Sequence, residues 1–356
     1  MSSRMRAPLH HFRRKVMNQV RLLWPHRTPG RHGQTLWSET SPCIPWAEPD
    51  EFPVFGAAYL NDLQKNPDTA YVRLHEDVTI DPKTGLLFQH GRVLWASTDF
   101  PQRERTPLFH KHLLKPKTQL EEVIVLHHAW DHNYFHFLMI IAPKLYLAET
   151  HGVGRHVPVL VSKRLASQRF FREAALLGLL RDREIIVQEP GQVVSARLAY
   201  TARVHEYDLD SSEWICDRLG AKPSATQAKR IYIHRGNNVR RFRNQNELNQ
   251  LLARHEVIFF DPQQHSLREQ IDTVSQAGLL IGAHGAGLTN MMFRHRAPCK
   301  VIELLNPSWC GPHYYLMAKQ RGHDYHWVLN KNECPAKQAS VEADLESIEQ
   351  LLSADA

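Results

Sequence analysis

The segment that decides the fold reads Leu280-Ile281-Gly282-Ala283-His284-Gly285-Ala286-Gly287-Leu288-Thr289-Asn290. It begins with an apolar run typical of a buried strand, continues into a glycine-rich turn, and enters a helical pattern over residues 286–293. Glycines let the backbone approach a ligand closely, and the N–H groups of a helix that begins there favour an anion. The segment therefore predicts a strand–turn–helix unit with a seat for a diphosphate. The alternative is a turn whose glycines serve packing only.

The same alternation continues on both sides of this segment. From residue 230 onward, the predicted strands cover residues 231–234, 257–260, 279–282, 301–305 and 325–329. The predicted helices cover residues 246–255, 266–277, 286–293, 314–321 and 341–352. Strands that alternate with helices of this length predict a parallel sheet with helices on both faces.

A second, less regular alternation lies upstream. Hairpin patterns precede predicted strands at 123–126, 157–161 and 184–187, with helices at 132–150 and 168–180. Pro143 predicts a kink or an early end in the first of these helices. The chain thus divides into a basic tail and linker (1–50), an N-terminal domain (51–205), a C-terminal domain (206–330) and a final segment (331–356). The helix of this final segment is expected to pack back on the N-terminal domain.

The composition limits the class of protein. Of the 356 residues, 42% are hydrophobic and 23% charged, as in ordinary globular proteins. No apolar stretch approaches the roughly 20 residues that span a bilayer, which argues against an integral membrane protein. Five scattered cysteines contain no CxxC pair, so neither a disulfide framework nor a structural zinc site is expected. The basic N-terminus lacks the apolar core of a secretory signal, and we expect a cytoplasmic protein.

The net excess of positive charge is confined to the N-terminal end of the chain. The net charge is +7, and eight basic residues but no acid precede Glu39. The tail therefore accounts for the whole excess, which argues against a nucleic-acid-binding domain. Residues 5–24 are weakly amphipathic and basic, so they could contact the inner face of a membrane as a peripheral anchor. A disordered tail is the alternative.

Arginines follow the first predicted strand of the C-terminal domain. Arg235, Arg240 and Arg241 lie in the loop after residues 231–234, on the edge of the sheet where the glycine turn also lies. The guanidinium group presents a fork of donors that suits phosphate oxygens. We expect these arginines to bind a diphosphate, and a solvated basic loop is the alternative. The candidate contacts in the glycine turn are His284, Gly285, Ala286, Gly287, Thr289 and Asn290.

An acidic residue, Glu303, interrupts the apolar run at 301–305. A buried carboxylate is costly unless it is paired or reaches a ligand. At the end of a strand it can accept hydrogen bonds from ribose hydroxyls. The alternative is a carboxylate that caps a neighbouring loop.

Histidines cluster where the helix predicted at 132–150 begins. His128, His132 and His136 have a spacing that would place them on one face of a continuous helix, which permits a metal site. No carboxylate or cysteine lies at ligand spacing, and we expect no metal. Because histidine titrates near neutral pH, His136 is the first candidate for a general base, and Asp131 is the second. A structural role is the alternative for any single histidine.

Together these segments resemble glycosyltransferase family 61. That family includes bacterial capsule and exopolysaccharide transferases, plant xylan arabinosyl- and xylosyltransferases, and animal O-linked GlcNAc transferases. One departure lies at Ile140, where many members carry an acid four residues after the motif histidine. The similar segments, spread over about residues 70–330, are Asn133-Tyr134-Phe135-His136 with Pro143, Ile231-Tyr232-Ile233-His234-Arg235, Asp261-Pro262, Ile281 to Asn290, and Val301-Ile302-Glu303-Leu304.

The resemblance implies an α/β fold of GT-B type, with two Rossmann-like domains facing across a cleft and extra β-hairpins on the first. It implies an inverting transferase that takes a sugar from a nucleoside-diphosphate donor, usually UDP-linked, and requires no metal or other cofactor. The N-terminal domain would bind a glycan or lipid-linked acceptor through His132 and Asn133, and Glu303 would hold the donor ribose. Synthesis of a bacterial surface polysaccharide such as a capsule suits a cytoplasmic chain.

Two other classes of function stay open. The departure at Ile140 allows a non-catalytic protein that binds a nucleotide sugar or a glycan. An NAD-dependent oxidoreductase could use the glycine turn, although this turn comes late in the alternating half rather than after its first strand.

Overall fold

The computed structural model describes residues 33–41, 68–90, 92–97, 117–205, 207–224, 229–234, 242–307, 311–331 and 341–354. Within these ranges the protein is a mixed α/β structure with two sheets, both of which contain parallel strands. No helix in the described ranges has the length and apolarity needed to cross a membrane.

The first sheet combines antiparallel hairpins with a parallel core. Within the described residues its strands are β1 (Gly33–Ser41), β2 (Asp68–Ile80), β3 (Leu87–Gln89), β4 (Arg92–Leu94), β5 (Lys117–Val125), β6 (Val159–Ser162), β7 (Ile185–Gln188) and β8 (Val193–Arg203). Their order is β4-β3-β2-β8-β5-β6-β7, and β1 also pairs with β2. Strands β8, β5, β6 and β7 run parallel, whereas β2 is antiparallel to β8.

The second sheet is parallel throughout, as the sequence predicts. Its strands in the described residues are β9 (Lys229–Ile233), β10 (Ile258–Phe260), β11 (Ala277–Ala283), β12 (Lys300–Leu305) and β13 (Asp324–Leu329). The order is β10-β9-β11-β12-β13. This order is the doubly wound 2-1-3-4-5 arrangement, in which the direction of winding reverses between the first and third strands.

Helices cover both sheets. They are α1 (Tyr134–His136), α2 (Ala142–Thr150), α3 (Lys163–Ala166), α4 (Arg169–Leu176), α5 (Leu209–Arg218), α6 (Gln245–Arg254), α7 (Leu267–Val274), α8 (His313–Gln320) and α9 (Leu345–Ser353). A capping box formed by Ser266 and Glu269 opens α7. The helix predicted at 286–293 is a 3₁₀ helix, Ala286–Phe293.

Pro143 changes the helix predicted at 132–150 without ending it. The helix begins at Tyr134, and a π-helical turn, Phe137–Ile141, joins α1 to α2. The Ala142 N–H donates to the Phe137 carbonyl, five residues back. Proline has no N–H to donate, and the wider turn lets the chain pass Pro143 and continue to Thr150.

Two predictions about the ends of the chain need correction. Residues 33–41 belong to a strand and not to a linker, since β1 pairs with β2 and the Trp37 ring stacks on His151 at 4.1 Å. The other residues of the predicted tail lie outside the described ranges. Helix α9 packs through Ile348 and Leu352 against α6 beside the second sheet, not against the N-terminal domain.

Both sheets share one buried core. A continuous apolar cluster includes Ile124 on β5, Ile231 on β9 and Cys216 on α5. The Cys216 Sγ lies 3.2 Å from the Met292 carbonyl oxygen in the 3₁₀ helix. The domain boundary predicted at residue 205 adjoins this shared core, and the two-domain arrangement stays a prediction.

Candidate functional site

The winding of the second sheet reverses between β9 and β11, which places a crevice at their carboxyl ends. His234 follows β9, and His284 follows β11. The His234 N–H donates to the Phe260 carbonyl at 2.8 Å, and the His284 N–H donates to the Leu304 carbonyl at 3.1 Å. These bonds continue the ladders by one residue and hold both histidines at the edge of the sheet.

Packing explains two of the glycines in the turn. A Cβ on Gly287 would lie 2.8 Å from Ile233 Cγ2, closer than side chains pack. A Cβ on Gly282 would lie 3.2 Å from Ile233 Cβ and 3.1 Å from Leu288 Cδ2. The packing interpretation therefore holds for Gly282 and Gly287. It does not conflict with a ligand in the crevice, because the turn still forms its wall.

A cleft of about 470 Å³ lies at this edge, between elements of the two sheets. This volume is in the range of small-molecule and cofactor sites. The strands of the second sheet and the loops and helices beside them contribute Ile233, His234, Pro262, Gln263, His265, Gln270, Ala283, Gly285, Ala286 and Gly287. The helices α1 and α4 beside the first sheet, with the residues that precede them, contribute His132, Asn133, Tyr134, Gln168, Arg169, Phe170 and Glu173.

Polar contacts join the two sides of this cleft. The Tyr134 hydroxyl donates to Asn290 Oδ1 at 2.8 Å, and the Asn290 amide donates to Gln270 Oε1 at 3.1 Å. Burial raises the pKa of Tyr134 well above its usual value, so this hydroxyl stays a donor. The Leu267 N–H, at the start of α7, donates to Glu173 Oε2 on α4 at 2.7 Å. These contacts fix the start of α1, the 3₁₀ helix and α7 relative to one another.

Asn133 caps the helix that carries His136. Its Oδ1 accepts the N–H groups of Phe135 at 2.8 Å and of His136 at 3.4 Å. The His136 ring is half-buried and contacts the rings of His128, at 5.0 Å, and Trp130, at 5.2 Å, which also contact each other at 5.5 Å. His128 and His132 precede the helix, so the helical face predicted for three histidines does not form, although His128 and His136 meet through the fold.

Asp131 is fully buried and engaged in structural contacts. One carboxylate oxygen accepts the Ser162 hydroxyl at 2.5 Å, and the other forms an ion pair with Arg164. Arg164 also donates to the carbonyl of Ala129 at 2.8 Å. This network holds the loop before α1. Asp131 is therefore occupied by structural contacts, which speaks against it as the base. His136 lies on the turn that follows His132, Asn133 and Tyr134, but it is not among the residues that line the cleft.

Glu303 and His284 are paired. His284 Nδ1 lies 2.6 Å from Glu303 Oε1, and the Tyr325 hydroxyl donates to Glu303 Oε2 at 2.5 Å. Glu303 is fully buried, and both its oxygens have protein partners. The His284 ring meets Tyr314 edge to face at 5.2 Å. The carboxylate predicted to hold a ribose therefore contacts a histidine of the glycine turn.

The other predicted donor contacts differ in their accessibility. Gly285, Ala286 and Gly287 line the cleft. Thr289 and Asn290 are fully buried beneath it, so they support the 3₁₀ helix from within. Arg235, Arg240 and Arg241 lie outside the described residues. Within the described residues, no group of His, Cys, Asp and Glu is arranged to hold a metal ion.

Several residues of the cleft were not singled out from the sequence. Arg169 and Glu173 lie on α4, whose amphipathic pattern predicts a helix but no contact with α7. Arg169 Nε donates to Glu173 Oε1 at 2.7 Å, and its Nη1 donates to the Gln263 carbonyl at 3.2 Å. The rule that ligands bind at strand ends could have pointed to His234.

A family model described as Glycosyltransferase 61 matches residues 101–302, more than half of the chain. A Beta-1,2-xylosyltransferase of Arabidopsis thaliana is 31% identical over 77 residues, which are 22% of this chain and 14% of that protein. Beta-1,2-xylosyltransferase RCN11 of Oryza sativa subsp. japonica is 32% identical over 63 residues, 18% and 12% of the two chains. The matched stretches thus span less than a sixth of either relative.

Among solved structures, the E. coli heptosyltransferase WaaC with ADP aligns over 67% of this chain and 100% of its own. The identity is 12% and the TM-score 0.30. A likeness this weak does not bear on the fold.

Proposed function

We propose that this chain, which belongs to the glycosyltransferase 61 family, is a glycosyltransferase. It transfers a sugar from a nucleoside-diphosphate donor, with UDP as the first candidate, to a glycan or lipid-linked glycan. The transfer inverts the configuration at the anomeric carbon. The GT-B arrangement of two Rossmann-like domains belongs to the same proposal.

The cleft at the switch point of the second sheet carries this proposal. Nucleotides bind to open α/β sheets at this position. Here the glycine turn forms one wall, and the start of α1 with His132 and Asn133 forms the other. A donor on the side of the second sheet would face an acceptor held by the first.

The reaction needs a proton acceptor and a means to stabilise the leaving diphosphate. His136 removes the proton of the acceptor hydroxyl, and the oxygen attacks the anomeric carbon opposite the diphosphate. The bond from that carbon to the phosphate oxygen breaks, and its electron pair stays on the phosphate. Arg235, with Arg240 or Arg241, and the N–H groups of residues 285–287 stabilise this charge, which is usually the largest catalytic contribution. The helix start expected to contribute through Thr289 is shorter, because the Leu288 N–H donates to the Gly285 carbonyl at 2.9 Å and Thr289 is fully buried.

Substitution of Arg235 tests the assignment of the diphosphate site. Arg235→Ala should lower kcat by about 100-fold or more if the guanidinium contacts the leaving group, the scale seen when a charge-stabilising donor is removed. Arg243→Ala is the matched control, because Arg243 lies near the same loop and pairs with Glu342 at 3.6 Å. Equal rates for wild type and Arg235→Ala would contradict the assignment.

Metal independence is tested separately. Positive groups can replace a divalent ion at the diphosphate, so we expect EDTA-treated enzyme to keep its activity. Loss of activity that Mg²⁺ or Mn²⁺ restores would refute this part of the proposal.

The donor can be identified by thermal shift. UDP, GDP, CDP, dTDP, CMP and NAD are compared, and UDP-xylose is added because two relatives are named xylosyltransferases. A ligand at 100 times its Kd adds about 2.7 kcal/mol of stability. A shift with NAD alone would favour an oxidoreductase. A shift with a nucleotide sugar, without transfer in an activity assay, would favour a non-catalytic binding protein. The same alternative is allowed by Ile140, which packs against the core from the π-helical turn at the position where many family members carry an acid.

The setting of the reaction is part of the same proposal. A cytoplasmic enzyme of surface-polysaccharide synthesis, held at the membrane by its basic N-terminal residues, would meet a lipid-linked acceptor there. A liposome sedimentation assay with anionic lipid, comparing the full chain with a variant lacking residues 1–32, tests the membrane contact.

A further inference from the structure

One end of the cleft is formed jointly by elements beside the two sheets. Arg169, at the start of α4, donates from Nη1 to the carbonyl of Gln263 at 3.2 Å. Gln263 belongs to residues 262–265, which follow β10. Phe170 is the chain neighbour of Arg169, and His265 lies two residues after Gln263. The hydrogen bond therefore brings two rings that line the cleft to the same end of it, which we call the aromatic end.

Each of these two rings is positioned by its own side of the molecule. The His265 ring lies parallel to that of Phe260 at 4.5 Å, with 11° between the planes. Phe260 is buried, so it covers one face of the His265 ring and leaves the other face for a ligand. The half-buried Phe170 ring contacts Tyr134 at 5.5 Å and Phe137 at 5.2 Å. Both rings are thus in place before a ligand binds.

A buried amide holds the backbone of residues 262–265. Gln270, on α7, donates from Nε2 to the carbonyls of Pro262 at 2.9 Å and of His265 at 3.1 Å. Its Oε1 accepts the Asn290 amide at 3.1 Å, so both N–H groups and the oxygen of this side chain are engaged by the protein. The wall that carries His265 is therefore fixed from within the molecule.

The charges at the aromatic end compensate each other. Among the described residues that line the cleft, Arg169 is the one with a guanidinium or ammonium group, and Glu173 is the one acid. Arg169 Nε donates to Glu173 Oε1 at 2.7 Å. A phosphate group would gain little here, because the carboxylate that neutralises the guanidinium would repel it. A neutral, flat part of a ligand suits this end better.

The aromatic end adjoins the glycine turn. A Cβ on Gly287 would lie 3.8 Å from Pro262 Cγ, so the first residue of the 262–265 segment is next to the start of the 3₁₀ helix. The first N–H groups of a helix have no partner within it and favour an anion. A diphosphate at residues 285–287 would therefore have the aromatic end beside it. The sugar has to face the acceptor, which leaves this end to the nucleoside.

We propose that the aromatic end is the subsite for the nucleobase of the donor, where Phe170 and His265 contact the base from the two sides of the cleft. This inference rests on the proposed function. Phenylalanine and histidine rings both stack on nucleobases. The donor is then held by elements beside both sheets, the base by α4 and residues 262–265 and the diphosphate by the glycine turn. Donor binding adds to the contact that Arg169 already makes across the cleft.

Titration calorimetry with UDP, and with inorganic pyrophosphate as a competitor that displaces it, separates the base from the diphosphate. His265→Ala should weaken UDP binding about 5- to 100-fold, the loss typical when an aromatic partner of a stacked base is replaced by alanine. Phe170→Leu keeps an apolar side chain against the core and should weaken UDP binding by a smaller factor. Pyrophosphate has no base and should bind both variants as it binds the wild type.

Phe259→Ala is the matched control. Phe259 lies on β10 with 44% of its surface exposed, and it is not among the residues that line the cleft. This variant should bind UDP and pyrophosphate with wild-type affinity.

The outcomes distinguish this inference from the proposed function. If either His265→Ala or Phe170→Leu binds UDP with wild-type affinity, the base is not held from both sides and the inference is overturned alone. It is also overturned if UDP and pyrophosphate lose affinity by the same factor, or if UDP-xylose loses affinity and UDP does not, since the aromatic end then takes the sugar. The two rings lie on different elements, so one variant still decides if the other does not fold. If neither UDP nor GDP, CDP or dTDP binds the wild type, the proposed function fails and the inference fails with it.

Discussion

Asn133 accepts two backbone hydrogen bonds at the start of α1, so a capping role competes with the role predicted for it in acceptor binding. Loss of such a cap costs about 1 kcal/mol. We expect Asn133→Ala to lower the free energy of unfolding by this amount in urea titrations and to lower kcat, because His136 sits on the capped turn. Asn133→Asp should restore both.

The aspartate variant also separates the two roles of Asn133. Aspartate can accept the same two N–H groups, whereas it cannot donate as the amide does. A raised KM for the acceptor in Asn133→Asp, at unchanged stability, would indicate direct acceptor binding. Unchanged stability in Asn133→Ala would show that the cap is not needed.

At single residues, the sequence predicts candidate positions but not the contacts between them. His284 and Glu303 could each be singled out, one by its place in a glycine turn and the other as an acid in an apolar run. Their contact could not, because it depends on the register of β11 against β12, in which Gly282 lies opposite Glu303. The burial of Thr289 and Asn290 was also hidden, since it follows from the 3₁₀ geometry of residues that read as an ordinary helix.

At the scale of elements, Glu173 ties α4 to α7. Its carboxylate accepts the Leu267 N–H, where the helix dipole favours a negative charge, and it pairs with Arg169. We expect Glu173→Ala to lower the free energy of unfolding by about 1–2 kcal/mol, since it also leaves the Leu267 N–H without its acceptor. Glu184→Ala, at an exposed position outside the cleft, is the control and should change stability by less than about 0.5 kcal/mol.

The same variant reports on the cleft. Because Glu173 lines it and fixes the start of α7, Glu173→Ala should also weaken donor binding, which thermal shift with UDP measures. A stability change without any change in binding would confine Glu173 to a structural role.

Elements with strong periodicity could be predicted, and those shaped by tertiary contacts could not. All five strands of the second sheet lie where apolar runs alternate with helical patterns. Strand β8 was not predicted, because its alanines and arginines lack the alternation of a half-buried strand, yet it pairs with both β2 and β5. The π-helical turn was equally hidden, since Pro143 signals an irregularity without specifying its form.

For the whole molecule, buried histidines make stability sensitive to acid. Burial is the main cause that lowers the pKa of His75, His127, His313 and His323 from 6.5 to about 4. The unfolded chain therefore binds more protons than the folded protein between about pH 6.5 and 4, and stability falls as the pH falls through this window. Each histidine contributes up to about 1.4 kcal/mol per pH unit.

Urea titrations from pH 7.5 to 5 measure this dependence. We expect a progressive loss of the free energy of unfolding below about pH 6.5. His323→Gln should reduce the slope, because the His323 Nδ1 accepts the Cys299 N–H at 3.2 Å and protonation would end that bond. A free energy of unfolding that is constant from pH 7.5 to 5 would contradict the assignment of these histidines as neutral.

For the architecture as a whole, the sequence predicts the fold class and no more. Alternating strands and helices predict a mixed α/β protein with parallel strands, which the structure confirms. They do not predict that α5, next to the expected boundary, joins a core common to both sheets. Side chains such as Cys216 carry no signal in the sequence for which sheet they pack against, since apolar burial has no direction.

That shared core has a consequence for the chemistry of the thiols. Burial raises the pKa of Cys216 and of Cys299, which precedes β12, to about 12. Only the thiolate reacts with alkylating reagents, so both sulfurs are inert while the protein is closed. The rate at which each thiol is labelled therefore measures how often the structure around it opens. If Cys216 and Cys299 are labelled at one common rate, the core shared by the two sheets opens in a single event. If the rates differ, the faster thiol marks the part of this core that opens more readily.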